Sequence, residues 1–186
     1  MQILKKVLLA IVGLIVLLAV VSQFLPGQVH VTRTVTIHAA PEAVFGQINN
    51  YRNFNKWSPW SSRDPEVKYV FDGPDEGVGA RMTWVSDHPQ VGSGTQEIIE
   101  SVPYTRLRTM LDFGEDGQPV AFFNLSAEGE STRVEWGFDM ELGRNPIVRF
   151  MGLKFDDWIG ADYAEGLDNL KVLVEAGEQT DAQQGM

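Results

Sequence analysis

The sequence predicts an α+β fold in which a curved, seven-stranded antiparallel sheet wraps on one long C-terminal helix, preceded by one N-terminal transmembrane helix. Three observations predict it. Residues 7–21 carry no polar side chain, and Phe24 and Leu25 extend the run past Ser22 and Gln23. Strand-like segments then follow one another at a short spacing that suits antiparallel neighbours rather than parallel crossovers. Finally, Phe155, Ile159, Tyr163, Leu167, Leu170 and Val174 recur at steps of four and three, the apolar stripe of a surface helix.

The apolar run comes first. Residues 7–25 make roughly 28 Å of helix at about 1.5 Å per residue. That is close to the ~30 Å hydrocarbon layer of a bilayer. The alternative is a cleaved signal peptide. Lys5 and Lys6 suit its basic end, but the run is long and “VVS” is a poor cleavage signal. With Lys5 and Lys6 in the cytoplasm, the positive-inside rule sends the body across the cell membrane as a single-pass protein. Cleavage would instead leave a periplasmic or secreted body. The anchor takes residues 1–26. The linker Pro26-Gly27-Gln28 reaches at most about 10 Å, so the domain at 27–176 sits close to the lipid.

Residues 29–37 alternate Val29, Val31, Arg33, Val35 and Ile37 with His30, Thr32, Thr34 and Thr36, which reads as a strand. Pro41 and Glu42 suit the first turn of a helix with Val44, Phe45, Ile48 and Tyr51 on its apolar face. A second short helix is expected over 52–57, followed by a turn, because Pro59 disfavours helix at Ser58. Further strands are expected at 67–71, 80–86, 94–102, 106–113, 119–127 and 132–142. The turns between them are “DGPDEGVG”, “DHPQVGSG”, “SVPY”, “GEDGQ” and “AEGES”. Two strands display their faces. Val134, Trp136, Phe138 and Met140 alternate with Arg133, Glu135, Gly137, Asp139 and Glu141; Leu107, Thr109, Leu111 and Phe113 oppose Arg106, Arg108, Met110 and Asp112. The long helix is expected over 147–176, and the polar end at 177–186 as a disordered tail.

Charge narrows the function classes. All 25 acidic residues follow Pro26, while Lys5 and Lys6 precede it, so the body carries −12, from 13 basic against 25 acidic residues. Such a body is repelled by nucleic-acid phosphates and is a poor peripheral binder of anionic headgroups. No cysteine is present, which excludes disulfides and thiolate chemistry. His30, His38 and His88 lie far apart without ligand partners at metal spacing, so no metal site is expected. “GVGA” and “GSG” lack the phosphate-loop lysine and dinucleotide spacing, and read as hairpin turns. The sequon at Asn124 falls in mid-strand.

The order of elements resembles the helix-grip fold of the START-like (SRPBCC) superfamily, in particular its polyketide cyclase/dehydrase and lipid-transport-like branch. The stretches that carry the resemblance are “VTRTVTIHAAPEAVFGQINNYRNFNKWSPW”, “GPDEGVGARMTW”, “VGSGTQEIIESVPYTRLRTMLDF” and “GADYAEGLDNLKVLVE”. The resemblance implies a cavity between sheet and long helix for hydrophobic ligands, with the second short helix and the turn after it near one end. It brings no catalytic residue and no cofactor to a position in this chain.

“NKWSPWSS” then becomes the most informative stretch. Trp57, at the end of the short helix, is expected to be the more buried ring, and Trp60 to line the cavity mouth. The other candidates for the cavity are Trp84, Phe113, Phe123, Trp136, Phe138, Trp158 and Tyr163. Asp156 and Asp157, beside Trp158, are the only acid/base candidates, and a solvated pair is their plainer reading. The expected function is a membrane-anchored domain binding a hydrophobic or amphipathic, lipid-like small molecule. The alternatives are a polyketide cyclase/dehydrase-type enzyme and a protein-interaction domain with a filled core.

Overall fold

The computed structural model describes residues 2–114 and 117–184, with side chains as far as residue 180. Helix α1 (Gln2–Ser22) stands clear of the body: it is exposed along its length except at Ala19 and Ser22. It is long and apolar enough to cross a bilayer. Strand β1 (Gln28–Ile37) starts the domain and leads into three short helices, α2 (Pro41–Ile48), α3 (Tyr51–Phe54) and α4 (Pro59–Arg63). Six strands follow: β2 (Lys68–Asp72), β3 (Arg81–Val85), β4 (Gly94–Val102), β5 (Arg106–Asp112), β6 (Val120–Glu128) and β7 (Ser131–Glu141). The chain ends in α5 (Pro146–Gly152) and α6 (Phe155–Gln184).

The strands form one antiparallel sheet in the order β1-β7-β6-β5-β4-β3-β2. It is a meander with the first strand brought round to pair with the last, Gln28 opposite Glu141 and Ile37 opposite Thr132. Helix α6 lies along β1 on the concave face. Its buried stripe of Tyr163, Leu167, Leu170 and Val174 meets Val31, Ile37, Val134, Trp136 and Phe138 in one core. The alternation read from β5 and β7 holds: Leu107 and Thr109, and Val134, Trp136 and Phe138, all point inward and are buried.

The register brings one set of strand ends together. Gln28 of β1 faces Glu141, and Val120 of β6 faces Asp139. Thr95 faces Asp112, Gly94 faces Trp84, and Lys68 faces Val85. The end of α1, the β3–β4 loop, the β5–β6 loop and the β7–α5 connection therefore lie at the same end of the sheet.

Four expectations are corrected. A single helix over 147–176 is replaced by two, because the chain bends at Leu153 and Lys154. Gly152 sits against Leu142 and Val29 so tightly that a Cβ there would collide with Leu142. The bend packs α5 onto that corner while α6 crosses the sheet. The residues expected as a tail from 177 continue α6 as helix through Gln184, with no proline to stop it. The turn after Trp57 contains a further helix, α4, with Pro59 at its first position. The second short helix closes early, at Phe54, although Asn50 caps its start by accepting from the backbone N–H of Arg52 and Asn53. The expected turn “GEDGQ” falls partly on residues 115 and 116, outside the described residues.

Candidate functional site: an aromatic cavity

A cavity of about 110 Å³ lies between the sheet and the helices. Its floor is sheet: Gln96 of β4, Leu107, Thr109 and Leu111 of β5, Phe123 of β6 and Trp136 of β7. Tyr51 and Phe54 of α3, Trp60 of α4 and Tyr163 of α6 close it from the other side. Trp136 is the hub of its aromatic wall. It stacks on Tyr163, with centroids 4.0 Å apart and planes 9° apart, and on Phe123 at 5.0 Å. Trp60 meets Trp136 edge-on at 5.8 Å. The close approach depends on Gly166 of α6, where a Cβ would stand 2.6 Å from the Trp136 ring. Arg63 holds α4 against α6 through Asp162 (2.6 Å) and Glu165 (2.9 Å), which fixes the helix that carries Trp60.

The lining residues that reach solvent are mainly Trp60, Tyr69, Trp84, Val91 and Phe113, so the mouth lies among them. Trp84 and Phe113 meet edge-on at 5.7 Å, and Trp84 Nε1 donates to the Val91 carbonyl at 3.4 Å. This mouth is at the strand ends that β1 shares with α1.

Six of the nine candidate residues therefore surround one space: Trp60, Trp84, Phe113, Phe123, Trp136 and Tyr163. Three do not. Trp57 is 2% exposed and packs on Phe54 (4.7 Å) and Trp136 (5.4 Å) behind the wall. Its Nε1 donates to the Gln47 carbonyl, and the Asn169 side chain donates to the Trp57 carbonyl. Phe138 is buried further along β7, against Phe155 and Tyr163. Trp158 stands outside the domain, 55% exposed. It lies one residue before Ile159, off the inward stripe of α6, and so does not line the cavity it was a candidate for.

The carboxylates beside Trp158 also point outward. Arg33 reaches from β1 to Asp156, donating to its carboxylate at 2.9 Å and to its carbonyl at 3.0 Å. That hydrogen bond holds the Asp156 carboxyl below its usual range. Asp157 pairs with Lys154 at 3.1 Å on the surface. The three histidines remain dispersed, and the described residues contain no cluster fit to hold a metal ion.

Sequence reasoning missed the polar part of the cavity. Tyr51, Gln96 and Thr109 are buried in its lining, and the Tyr51 hydroxyl has no hydrogen-bond partner. Thr109 had been read as inward, but Gln96 sits in a strand whose faces the sequence did not separate, and Tyr51 was read only as an apolar face. The lining contains no Asp, Glu, His, Lys or Arg. Its only titratable groups are tyrosines, and burial pushes the Tyr51 and Tyr163 phenols well above their ordinary range. The site can thus bury apolar surface and offer neutral hydrogen bonds, and near neutral pH it carries no charge.

The family model for polyketide cyclase / dehydrase and lipid transport matches residues 28–175. The chain belongs to this family. Solved structures agree on the fold. Protein CV1439 from Chromobacterium violaceum is 19% identical, with 81% of this chain and 99% of that one covered, at a TM-score of 0.56. Protein Ms6760 from Mycobacterium smegmatis is 15% identical over 80% of this chain and 92% of that one, at a TM-score of 0.58. The di-domain aromatase/cyclase StfQ of the steffimycin biosynthetic pathway is 11% identical, at a TM-score of 0.62, with 82% of this chain matched to 52% of that longer one. No curated protein matches the sequence. Within the START-like superfamily, this family member has a cavity of the kind suited to a small hydrophobic ligand.

Proposed function

We propose that the domain binds a neutral, slender molecule, apolar over most of its length with one hydrogen-bonding group, and holds it without chemistry. The observation that supports this best is the lining: an aromatic wall, a few buried neutral polar side chains (Tyr51, Ser58, Gln96 and Thr109 among them), and no charge. A buried phenol without a partner calls for one, and a ligand hydroxyl or carbonyl beside Tyr51 supplies it. An ionised carboxylate entering the same space would lose its hydration with no cation to meet it. The cavity is below the roughly 300–1,000 Å³ of sites for drug-sized ligands, which favours a narrow ligand. A cyclase-type reaction has the family description in its favour. It needs a group that exchanges protons near neutral pH, and the lining offers only tyrosines with raised pKa values.

The domain acts at a membrane in this reading. Helix α1 is its anchor, with Lys5 and Lys6 on the cytoplasmic side and the domain on the other. Against a bilayer, burial of an acyl chain gains little, so the cavity selects by shape and by its polar group rather than by apolar area.

The test has two parts. Native mass spectrometry of the full chain should find a neutral lipid-like molecule co-purifying. Titration should then show a long-chain alcohol binding at least about tenfold more tightly than the carboxylate of equal length. Equal binding of the two, or no retained apolar molecule and no alcohol binding, would sink the proposal. An extracytoplasmic reporter fused after Met186 checks the topology, since activity of a cytoplasmic one would reverse it.

A further inference from the structure

Helix α5 is not free. Its Arg149 side chain closes the end of α1, donating to the carbonyls of Ser22 (3.1 Å), Gln23 (3.1 Å) and Leu25 (3.3 Å), and to Gly143 (2.7 Å). These carbonyls sit at the negative end of the helix, where a guanidinium is favoured. The only residues of α1 drawn out of solvent are Ala19 and Ser22, on the last turn. Helix α1 and the domain thus meet at a hydrogen-bonded joint, and α5 lies beside the last turn of the apolar run.

The outer side of this joint is apolar. Ile147 is 71% exposed, Met151 45%, Leu153 54%, and Phe24 at the end of α1 86%. Ile147 and Met151, four apart, share one face of α5. Trp158 stands one turn into α6, also exposed. The same corner lacks the strong acidity of the rest of the domain. Residues 142–154 hold Arg144, Arg149 and Lys154 and no acid; Asp156 and Asp157, beside Trp158, are paired with Arg33 and Lys154, in a body whose net charge is −12.

We infer that the α5–α6 corner is seated in the lipid interface, with Ile147 and Met151 among the upper acyl chains, Trp158 at headgroup level, and Arg144 facing lipid phosphates. The inference rests on the reading of α1 as a membrane span. Given that reading, the apolar run at 7–25 makes roughly 28 Å of helix-length chain, close to the depth of the hydrocarbon, with Lys5 and Lys6 at its other face, so the last turn of α1 lies near the boundary. Whatever packs beside that turn lies at the interface. Short apolar faces flanked by cations, with tryptophan at the rim, are the composition that this layer favours. The overall acidity of the domain does not oppose this, because fields fall off within about 8 Å at physiological salt and the acids of this corner, Asp156 and Asp157, are each paired with a cation.

The chain has no cysteine, so single-site spin labels report cleanly. Ile147→Cys, Met151→Cys, Leu14→Cys in mid-span and Val172→Cys on the exposed face of α6 are labelled in the full chain. Each is reconstituted in mixed phosphatidylcholine–phosphatidylglycerol vesicles, and collision with oxygen is compared with collision with a water-soluble nickel chelate. Labels at 14, 147 and 151 should favour oxygen several-fold over the label at 172. If 14 is in lipid but 147 and 151 behave like 172, the interfacial corner is refuted while the anchor stands. If 14 itself is in water, the anchor reading falls and this inference falls with it.

Discussion

The two tryptophans of “WSPW” differ by what stands behind them. Trp57 is enclosed on every side, so Trp57→Ala should cost about 3–5 kcal/mol, read as a denaturant midpoint. Trp60 lines open space, and Trp60→Ala should cost under about 1.5 kcal/mol while weakening an apolar probe. Equal losses with unchanged probe affinity would make both simple packing. Tyr51→Phe should leave stability unchanged or raised by up to about 1 kcal/mol, because the lost hydroxyl had no partner. It should weaken an alcohol probe and spare an alkane; weakening of both would assign the effect to shape. Buried Tyr51 and Tyr163 also set a pH dependence. Their phenols stay neutral in the fold while the unfolded chain ionises near pH 10. Stability is therefore intact below about pH 10 and falls above it, by roughly 1.4 kcal/mol per pH unit per group. Urea midpoints across that range check the sign, and a rise with pH would contradict it. At this scale the sequence was readable where alternation was strict. It placed Phe123, Trp136 and Tyr163 on inner faces, whereas Trp158, taken as a cavity candidate for its ring, lies off the stripe of α6 and is exposed.

Helix α6 works by shape as much as by its stripe. In an exposed helix, Gly166→Ala would gain about 1 kcal/mol. Here the new Cβ meets a tryptophan ring held by two stacked neighbours, and overpacking of about 1–3 kcal/mol should reverse the sign. A lower thermal midpoint with altered tryptophan fluorescence is the expected result; a stabilised protein would show that Trp136 moves freely. Leu167→Asp should cost about 3 kcal/mol or more, and Asp168→Ala next to it under about 0.5 kcal/mol. The stripe of this helix was legible, although its start was placed at Ile147 rather than Phe155. The bend before it was not, because it is decided by Gly152 against Leu142 and Val29, contacts between residues far apart in the chain. Helix α4 escaped for a related reason: a proline that ends one helix serves equally as the first residue of the next.

The core of the domain takes no apolar residue from α1. A chain beginning at Gly27 should therefore unfold cooperatively, within about 0.5 kcal/mol of the full chain in detergent. Loss of cooperativity would mean that the joint at Arg149 is part of the fold. The sheet order was legible in outline, since short turns leave a meander few alternatives. The joint was not, because nothing in the sequence pairs Arg149 with carbonyls more than a hundred residues earlier. One consequence follows from the register. The cavity mouth and the end of α1 share one end of the sheet. With α1 in a bilayer, a guest molecule that dissolves in the membrane reaches the mouth by lateral diffusion, a search over a plane. How fast the site fills is then governed by the guest's mole fraction in the surrounding leaflet, and its solubility in water drops out of the problem.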